Sequence, residues 1–477
     1  MSRLPNHVLL PLIIACALFM ENLDSTVLAT ALPAIASSFG AHPLRLNLAI
    51  TAYLFSLAVF IPISGWMADR FGARRIFTSA IAVFTLGSIA CGVSGALWEL
   101  VLARILQGLG GAMMVPVGRL VLLRSVPKAQ FVRAMSYLTI PALIGPIVGP
   151  PVGGFLTTYA SWRWIFWINV PIGLLGIALA LIFIDDLKEG EAPPLDVFGF
   201  VLAAVGLTGL VFGFEAVGRS ILPDAVVATL LAVGALAALL YLRHARRTAH
   251  PVIRLSLLRY PTLRASVAGG FLFRIGIGAV PFLLPLMFQI AFGLSAFRSG
   301  MLTFVAAIGA VTMKIAAVPI LRWFGFRSVL IGSVLLSGAF LAANGLFRPD
   351  TPHAVILAIL LLGGFIRSLQ FTSVNIIGYA DIPRPEMSQA TSLVSMAQQL
   401  SLSIGVGVGA FVLHLTAGGA TRLTALDFMP AFFTIGAIAM LPALVYRRLP
   451  ADAGREVSGH QRATPLPAET PALRAGE

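Results

Sequence analysis

Charged side chains are scarce in this sequence. Asp, Glu, Lys and Arg make up 11% of its 477 residues, whereas a soluble protein carries about 25%. Hydrophobic residues account for 58% of the chain, and the mean hydropathy is +0.93. This composition excludes an ordinary soluble domain and predicts a membrane protein that crosses the bilayer several times.

Residues that hold metals, disulfides or nucleotides are also few. The two cysteines, Cys16 and Cys91, both lie in apolar runs, which indicates neither a disulfide framework nor a metal site. The seven histidines are scattered, and the Gly-Lys-Ser/Thr element of a nucleotide-binding loop is not visible. We therefore expect no enzyme, no metal or other cofactor and no use of ATP. A membrane-embedded enzyme or sensor is accordingly disfavoured.

The net charge of +14 could suggest a nucleic-acid partner. Such binding needs basic residues and aromatics on a soluble face, but here the basic residues lie in loops between apolar runs. We therefore expect no nucleic-acid partner. Membrane proteins keep lysine and arginine in cytoplasmic loops. If the N-terminus of this chain is cytoplasmic, most of its lysines and arginines lie in cytoplasmic loops. They fall in segments 70–75, 124–133, 243–264, 322–327 and 447–474.

Fourteen apolar stretches are long enough to cross a hydrocarbon core, which takes about 20 residues each. They lie near 8–33, 46–68, 76–95, 98–121, 134–158, 163–184, 197–216, 224–242, 264–290, 299–321, 328–346, 354–378, 388–414 and 428–446. An even number places both termini on the same side, which the charge distribution indicates is the cytoplasm.

A faint internal repeat divides the chain. Phe324-Gly325-Phe326-Arg327 echoes Phe71-Gly72-Ala73-Arg74, and each directly follows an apolar stretch. We predict an all-α membrane protein with four parts. These are a six-helix bundle over 1–185, two linker helices and a basic cytoplasmic loop over 186–262, a second six-helix bundle over 263–449, and a disordered cytoplasmic tail over 450–477.

The polar gap between the second and third stretches runs from Gly65 to Arg75. It resembles the loop between helices 2 and 3 of the major facilitator superfamily, whose signature is G-x-x-x-D-R-x-G-R-R. The resemblance implies that superfamily's fold and a conformational latch. The latch residues would be Gly65, Asp69, Arg70, Gly72, Arg74 and Arg75. Alternatively, the arginines only fix the topology.

Two acids, Glu21 and Asp24, share one face of the first stretch about midway through the membrane. A carboxylate at this depth is costly unless it faces a cavity or a partner. Such an acid can load a proton on one side and release it on the other, or it can form a static ion pair with an arginine. Leu23-Asp24-Ser25-Thr26-Val27 resembles the first-helix signature of the fourteen-helix drug:proton antiporters, which implies that Asp24 takes part in transport. Glu21 is not a fixed part of that signature.

The fourth stretch carries Arg104 well inside the membrane, within Arg104-Ile105-Leu106-Gln107-Gly108. Arginine stays protonated, so it needs a counter-charge or a water-filled pocket. The segment resembles the R-x-x-Q-G element of the same family, which implies an arginine that perturbs a nearby acid during proton exchange. We predict Asp24 or Glu21 as its partner.

The fifth stretch is rich in glycine and proline over residues 145–154, which membrane helices tolerate when their neighbours repack the freed backbone. It resembles the antiporter signature G-x-x-x-G-P-x-x-G-G, which implies export rather than import. The matching positions are Gly145, Gly149, Pro150, Gly153 and Gly154. Close helix packing without directional meaning is the alternative.

Three cations, Arg274, Lys314 and Arg367, lie in separate stretches of the second half, which has no central acid. We predict that they line the substrate cavity, with Gln289 as a further hydrogen-bonding group. One interpretation is that they attract an anionic substrate such as an organic acid. The other is pairing with distant acids or extension to the membrane interface.

We therefore predict a proton-coupled antiporter that works by alternating access between its two bundles. It would export small molecules, with drugs or other xenobiotics as the first expectation and small anionic metabolites as the second. The expected location is a bacterial inner membrane, with the proton gradient as the energy source and the monomer as the working unit. Its partners would be the substrate, protons and the lipid bilayer.

Overall fold

The computed structural model describes residues 6–40, 47–185, 193–217, 222–417 and 423–460, and within these ranges the protein is helical without any strand. The N-terminal half begins with one long helix and continues as a series of antiparallel ones. Its helices are α1 (Asn6–Phe39), α2 (Asn47–Phe60), α3 (Ser64–Phe71), α4 (Ala73–Val93), α5 (Leu97–Ser125), α6 (Phe131–Tyr159), α7 (Trp164–Trp167) and α8 (Asn169–Phe183).

Two linker helices precede the C-terminal half. They are α9 (Val197–Ala216) and α10 (Asp224–Ala245). The second half then contains α11 (Pro261–Gly278), α12 (Val280–Leu286) with a π-helical turn over Met287–Ala291, α13 (Ala296–Asn344), α14 (His353–Ile377), α15 (Met387–Ala417), α16 (Ala425–Met440), α17 (Pro442–Tyr446) and α18 (Arg455–Ser458).

Twelve helices of the described ranges are long and apolar enough to cross a membrane. One of them, α13, has 49 residues. At about 1.5 Å per residue it is more than twice as long as a hydrocarbon core about 30 Å thick. It therefore corresponds to two predicted stretches, and α6 coincides with the fifth. All fourteen predicted stretches thus have helical counterparts.

The internal repeat is visible in the backbone. Gly72 separates α3 from α4 with φ +95°, and Gly325 interrupts α13 with φ +70°. Glycine adopts this left-handed region without the clash that a Cβ would cause. The two glycines therefore make equivalent sharp turns, and we call the end of the molecule where they lie the latch end.

Among the described residues, the main hydrophobic core that the two halves share lies at the latch end. There one cluster combines Phe77 and Leu120 of the first half with Phe326 and Tyr446 of the second. At the opposite, far end each half has its own cluster, one around Phe166 in the first half and another that includes Phe288, Phe347 and Phe428 in the second. The halves are therefore packed together at the latch end and separately packed at the far end.

The first linker helix, α9, lies against both halves. Helix α9 contacts α2 of the first half and α15 of the second. The Ser403 hydroxyl donates to Glu215 of α9 at 3.3 Å, and the Trp66 indole donates to the Pro193 carbonyl just before α9 at 2.8 Å. Residues 186–192 of the predicted linker lie outside the described residues.

The predicted disordered tail needs a correction for residues 450–460. This segment folds back on the latch end, where it includes α18 and buries Val457 to 2% exposure. Lys128 of the first half pairs with Glu456 at 3.2 Å, and the His460 ring contacts the Arg322 carbonyl at 2.8 Å. Apolar contacts thus override a composition rich in proline and small residues. Residues 461–477 lie outside the described part.

Close helix packing in the second half depends on Gly309 of α13, where an added Cβ would overlap the Leu361 carbonyl oxygen. We expect Gly309→Val to lower the free energy of unfolding by about 1–3 kcal/mol, because overpacking forces α13 and α14 apart. Gly332→Val on the same helix is the matched control, since nothing lies within 4 Å of its added Cβ. Thermal unfolding in detergent measures both, and equal midpoints would contradict this packing.

Candidate functional site

Asp24 lies at the centre of a buried polar cluster between five helices of the first half. It is 2% exposed, and its Oδ2 accepts from Arg104 Nη1 at 2.6 Å. Its Oδ1 accepts from Gln107 Nε2 at 2.8 Å and from Asn169 Nδ2 at 3.2 Å. The carboxylate is therefore neutralised by one cation and held by two amides.

Arg104 is satisfied by more than the carboxylate. It donates to Gln107 Oε1 at 2.6 Å and to the Ala49 carbonyl at 3.3 Å, and its guanidinium lies 4.4 Å from the centre of the Tyr53 ring. If the carboxylate lost its charge, Arg104 would thus still have the Gln107 and Ala49 oxygens as acceptors and the face of the Tyr53 ring beside it. Of the two acids that the sequence offered, the structure pairs Arg104 with Asp24.

Two further polar residues complete this cluster, and the sequence analysis missed both. The Ser88 hydroxyl lies 2.8 Å from Gln107 Nε2 and 3.3 Å from Asn169 Nδ2. Asn169 is 0% exposed at the start of α8. A buried asparagine in an apolar stretch is the one signal that could have suggested it, because such a group needs hydrogen-bonding partners.

Glu21, one turn before Asp24, faces a different environment. It lines a central cavity of about 350 Å³. Its Oε2 is buried and has no hydrogen-bond partner among the residues that the structure describes. Tyr53, which stacks on Arg104, is within electrostatic reach of Glu21. The first helix thus presents one paired acid to the polar cluster and one acid with an open oxygen to the cavity.

The central cavity lies between the two halves. Helices α1, α2, α5 and α6 form one wall, and α14 and α15 form the other. Its polar and charged lining residues are Glu21, Asn22, Arg119, Thr139, Thr372, Asn375, Ser395, Gln398 and Gln399. A volume of this size suits a small organic molecule, and a site between bundles changes shape whenever the bundles move.

Three cations lie at or directly behind the wall of the cavity. Lys314 Nζ donates to the hydroxyl of Thr372, and Arg274 Nη2 donates to Asn375 Oδ1 at 2.9 Å. Both acceptors line the cavity. Arg274 Nε and Nη1 are buried without a hydrogen-bond partner in the described part of the chain. Arg274 and Lys314 therefore lie behind the cavity wall, bonded to residues that line it, whereas the sequence analysis predicted that they line the cavity themselves.

Arg119 is the third of these cations, and the sequence analysis did not identify it. It lines the cavity, is 8% exposed and lies 3.4 Å from the Tyr379 hydroxyl through its Nη1. Arg119 lies near the end of a long apolar stretch, a position that is typical of arginines at the membrane interface. The sequence therefore offered no sign that it lines the cavity. The cavity thus has a carboxylate on α1 and a basic cluster consisting of Arg119, Arg274 and Lys314.

Two residues predicted for this cavity lie elsewhere. Arg367 lines a separate cavity inside the second half, which has a volume of about 490 Å³. Gln289 is exposed on the π-helical turn after α12. Apolar stretches alone do not reveal which way a helix is rotated, so the sequence could not separate these positions from Arg274 and Lys314.

The glycine-rich segment of α6 packs against the acidic turn of α1. A Cβ at Gly145 would lie 3.0 Å from the Phe19 carbonyl, and one at Gly149 would overlap the Thr26 side chain. Gly153 is buried, whereas nothing lies within 4 Å of a Cβ added to Gly154. The first two glycines therefore allow α6 to approach the helix that carries Glu21 and Asp24, and Pro150 belongs to the same helix.

The predicted latch joins the two halves. Asp69 Oδ1 pairs with Arg124 Nη2 at 3.1 Å, and its Oδ2 accepts from the Ser388 hydroxyl of the second half. The Gly65 amide donates to Ser392 Oγ at 2.9 Å. A Cβ at Gly65 would lie 2.6 Å from the Ser388 carbonyl, so only glycine fits this crossing.

The arginines of the latch have different surroundings. Arg74 donates to the Ile184 carbonyl at 3.2 Å, whereas Arg70 and Arg75 are exposed. Exposure at the end of a membrane helix fits the alternative interpretation, in which these side chains fix the topology. The contacts between the halves thus involve Gly65 and Asp69.

Comparison with known proteins identifies the family. The model of the Major Facilitator Superfamily matches residues 14–406. The chain belongs to the major facilitator superfamily. It is 39% identical to the "Putative multidrug resistance protein MdtD" of Escherichia coli O139:H28 over 94% of this chain and 96% of that protein. It is 40% identical to the protein of the same name from Salmonella heidelberg, over 95% and 97%. This superfamily member is thus a transporter and a multi-pass membrane protein.

Solved structures of the superfamily share the fold. The human organic anion transporter MFSD10 superposes with a TM-score of 0.69 at 15% identity, covering 93% of this chain and 100% of that one. The proton:xylose symporter XylE superposes with a TM-score of 0.65 at 15% identity, covering 95% and 98%. At this identity the likeness establishes the architecture of two six-helix bundles alone.

We expect Gly65→Val to open the latch end of this superfamily member, because the new side chain would collide with the Ser388 carbonyl. Spin labels at the exposed positions Ala129 and Arg384 would report a longer distance between the halves. The labels require a background in which Cys16 and Cys91 are replaced by alanine.

Gly95→Val at the far end is the matched control, since its added Cβ meets only Glu99 at 3.7 Å. An unchanged label distance in Gly65→Val, measured by electron spin resonance, would show that Gly65 does not hold the halves together.

Proposed function

We propose that the protein is a proton-coupled antiporter that exports small molecules across a bacterial inner membrane by alternating access. The observation that carries this proposal is the buried Asp24–Arg104 pair, one helical turn from a cavity-lining acid. A proton on Asp24 cancels the ion pair, and the amides and Ala49 carbonyl around Arg104 limit the cost. Protonation thereby changes how α1 is attached to α5.

The cavity gives the proton a path to this pair. Glu21 lines the cavity and has an oxygen without a partner in the described residues, and Tyr53 interacts with Glu21 electrostatically and with Arg104 through its ring. A proton taken up by Glu21 from cavity water has only one helical turn to travel to Asp24. Glu21 therefore assists proton transfer, Asp24 couples proton binding to transport, and Arg104 determines how firmly Asp24 is held.

Alternating access is supported by the packing of the halves. They share one core at the latch end and have separate cores at the far end. If the latch end is cytoplasmic, this conformation exchanges protons and substrate with the outside. Both termini then lie in the cytoplasm, and the proton gradient supplies the energy. The drug-resistance name of the relatives supports xenobiotics as the first class of exported substrate, and the monomer contains the whole cavity.

Asp24→Asn is expected to abolish substrate efflux driven by a pH gradient in proteoliposomes. It also leaves Arg104 buried without its counter-charge, so we expect a loss of about 3–5 kcal/mol in stability. The double variant Asp24→Asn with Arg104→Gln removes both charges and should recover stability without recovering coupled transport.

Asp224→Asn is the control for this test, because Asp224 is exposed at the start of α10. Undiminished pH-driven efflux by a folded Asp24→Asn or double variant would refute a coupling role for Asp24. Efflux lost equally in Asp224→Asn would show that the assay reports surface charge.

A second candidate substrate class, small anionic metabolites such as organic acids, is favoured by the basic cluster. Arg119 lines the cavity, and Arg274 and Lys314 lie directly behind its wall, against the single lining carboxylate of Glu21. Electrostatic attraction concentrates ligands of opposite sign in such a site. The same proton coupling would then drive the export of carboxylates.

Transport of a carboxylate and of a cationic dye separates the two substrate classes. If anions are the substrates, Lys314→Gln and Arg274→Gln should each reduce carboxylate efflux at least about tenfold, since a hydrogen bond to a charged group contributes roughly 1.5–3 kcal/mol. Arg298→Gln, at an exposed position of α13, serves as the control. Carboxylate efflux that both cavity variants leave intact would eliminate this class.

A further inference from the structure

The second half contains a cavity that the transport mechanism does not use. It has a volume of about 490 Å³ and lies among α12, α13 and α14, and none of the described residues lines both it and the central cavity. Leu284, Leu341 and Leu360 form apolar walls. Its exposed lining residue Pro281 places part of its rim at the protein surface.

Arg367 brings a positive charge into this apolar cavity, near the middle of α14. Within the described ranges it forms neither a hydrogen bond nor an ion pair. Arginine keeps its proton at this depth, so a guanidinium in apolar surroundings needs a counter-charge or water, and a bound anion would supply the counter-charge. In contrast to Arg104, which has Asp24, the protein itself provides no such anion for Arg367 in its described part.

Two buried polar groups of the same cavity also lack partners. Ser337 Oγ, in a residue 2% exposed, and Asn344 Oδ1, in a residue 5% exposed, have no hydrogen-bond partner in the part of the protein that the structure describes. Both residues line the cavity. Buried polar groups are nearly always satisfied in native proteins, so these two point to a ligand that hydrogen-bonds there.

We propose that this cavity is a binding site for an anionic amphiphile, with a carboxylate or phosphate on Arg367 and Ser337 and an acyl chain along the leucines. The anion neutralises the guanidinium and accepts from the serine hydroxyl. The chain fills apolar space that water occupies poorly. The site is independent of the central cavity and of proton coupling, so it stands even if the proposed transport function fails.

Thermal unfolding of the full chain in neutral maltoside micelles tests this proposal, because a ligand that binds the native state raises the unfolding midpoint by mass action. The probes are decanoate, decyl phosphate, decanol and decyltrimethylammonium, each on the purified protein. Phosphatidylglycerol, added as a fifth probe, distinguishes a membrane lipid from a free single-chain amphiphile. We expect a rise with the anionic probes and none with decanol or the cation.

Three variants locate the binding. Arg367→Gln removes the positive charge and should weaken the binding of the anionic probes at least about tenfold, which is the contribution of a charge-assisted hydrogen bond. Ser337→Leu fills the cavity without breaking a hydrogen bond and should have the same effect. Arg298→Gln, exposed on α13, is the matched control and should respond like the wild type.

The unliganded proteins give a second readout. Because the charge of Arg367 has no counter-charge among the described residues, we expect the Arg367→Gln variant without ligand to unfold at a higher temperature than the wild type. A structural arginine with a protein partner would give the opposite result. Equal responses to decanol and decanoate, an Arg367→Gln response equal to that of the wild type, or no response of the wild type to any anionic probe would overturn the proposal. If Arg367→Gln does not fold, Ser337→Leu decides.

Discussion

An arginine inside a membrane is permanently charged, and this constraint organises both halves of the protein. In the first half the requirement is met internally, because Asp24 at 2.6 Å and the groups around it neutralise Arg104. In the second half the described acceptors of Arg274 and Lys314 are neutral groups, Asn375 and Thr372. One bundle therefore carries a closed ion pair and the other carries positive charge that remains available to something else.

This asymmetry fits two structurally related halves whose charged groups have diverged. The turns at Gly72 and Gly325 still share a left-handed backbone, but the acid of the first latch, Asp69, has Arg322 as its counterpart in the second. The polar groups that belong to the latch are thus those of the first half, and they form hydrogen bonds with Ser388 and other groups of the second half. The buried Asp24–Arg104 pair belongs to one bundle, and the basic cluster belongs mostly to the other.

Much of this architecture could be predicted because apolar length and local turn chemistry determine where membrane helices begin and end. The fourteen stretches, the repeat at Gly325 and the pairing of Arg104 with an acid of the first helix followed from residue types at membrane depth. The rotation of each helix did not, since a helix that is apolar on all sides gives no preferred face. Arg119 was therefore missed, and Arg367 and Gln289 were assigned to a cavity that they do not line.

The segment after α17 adds a last constraint. It is continuous with the second half, yet Glu456 reaches Lys128 of the first half through an exposed ion pair at 3.2 Å. Exposed pairs of this kind stabilise by only about 0.2–1 kcal/mol, whereas Val457 is buried beside the same surface. Helix α18 contacts α6 of the first half and α13 of the second, so this C-terminal segment stabilises the conformation in which the two bundles are joined at the latch end.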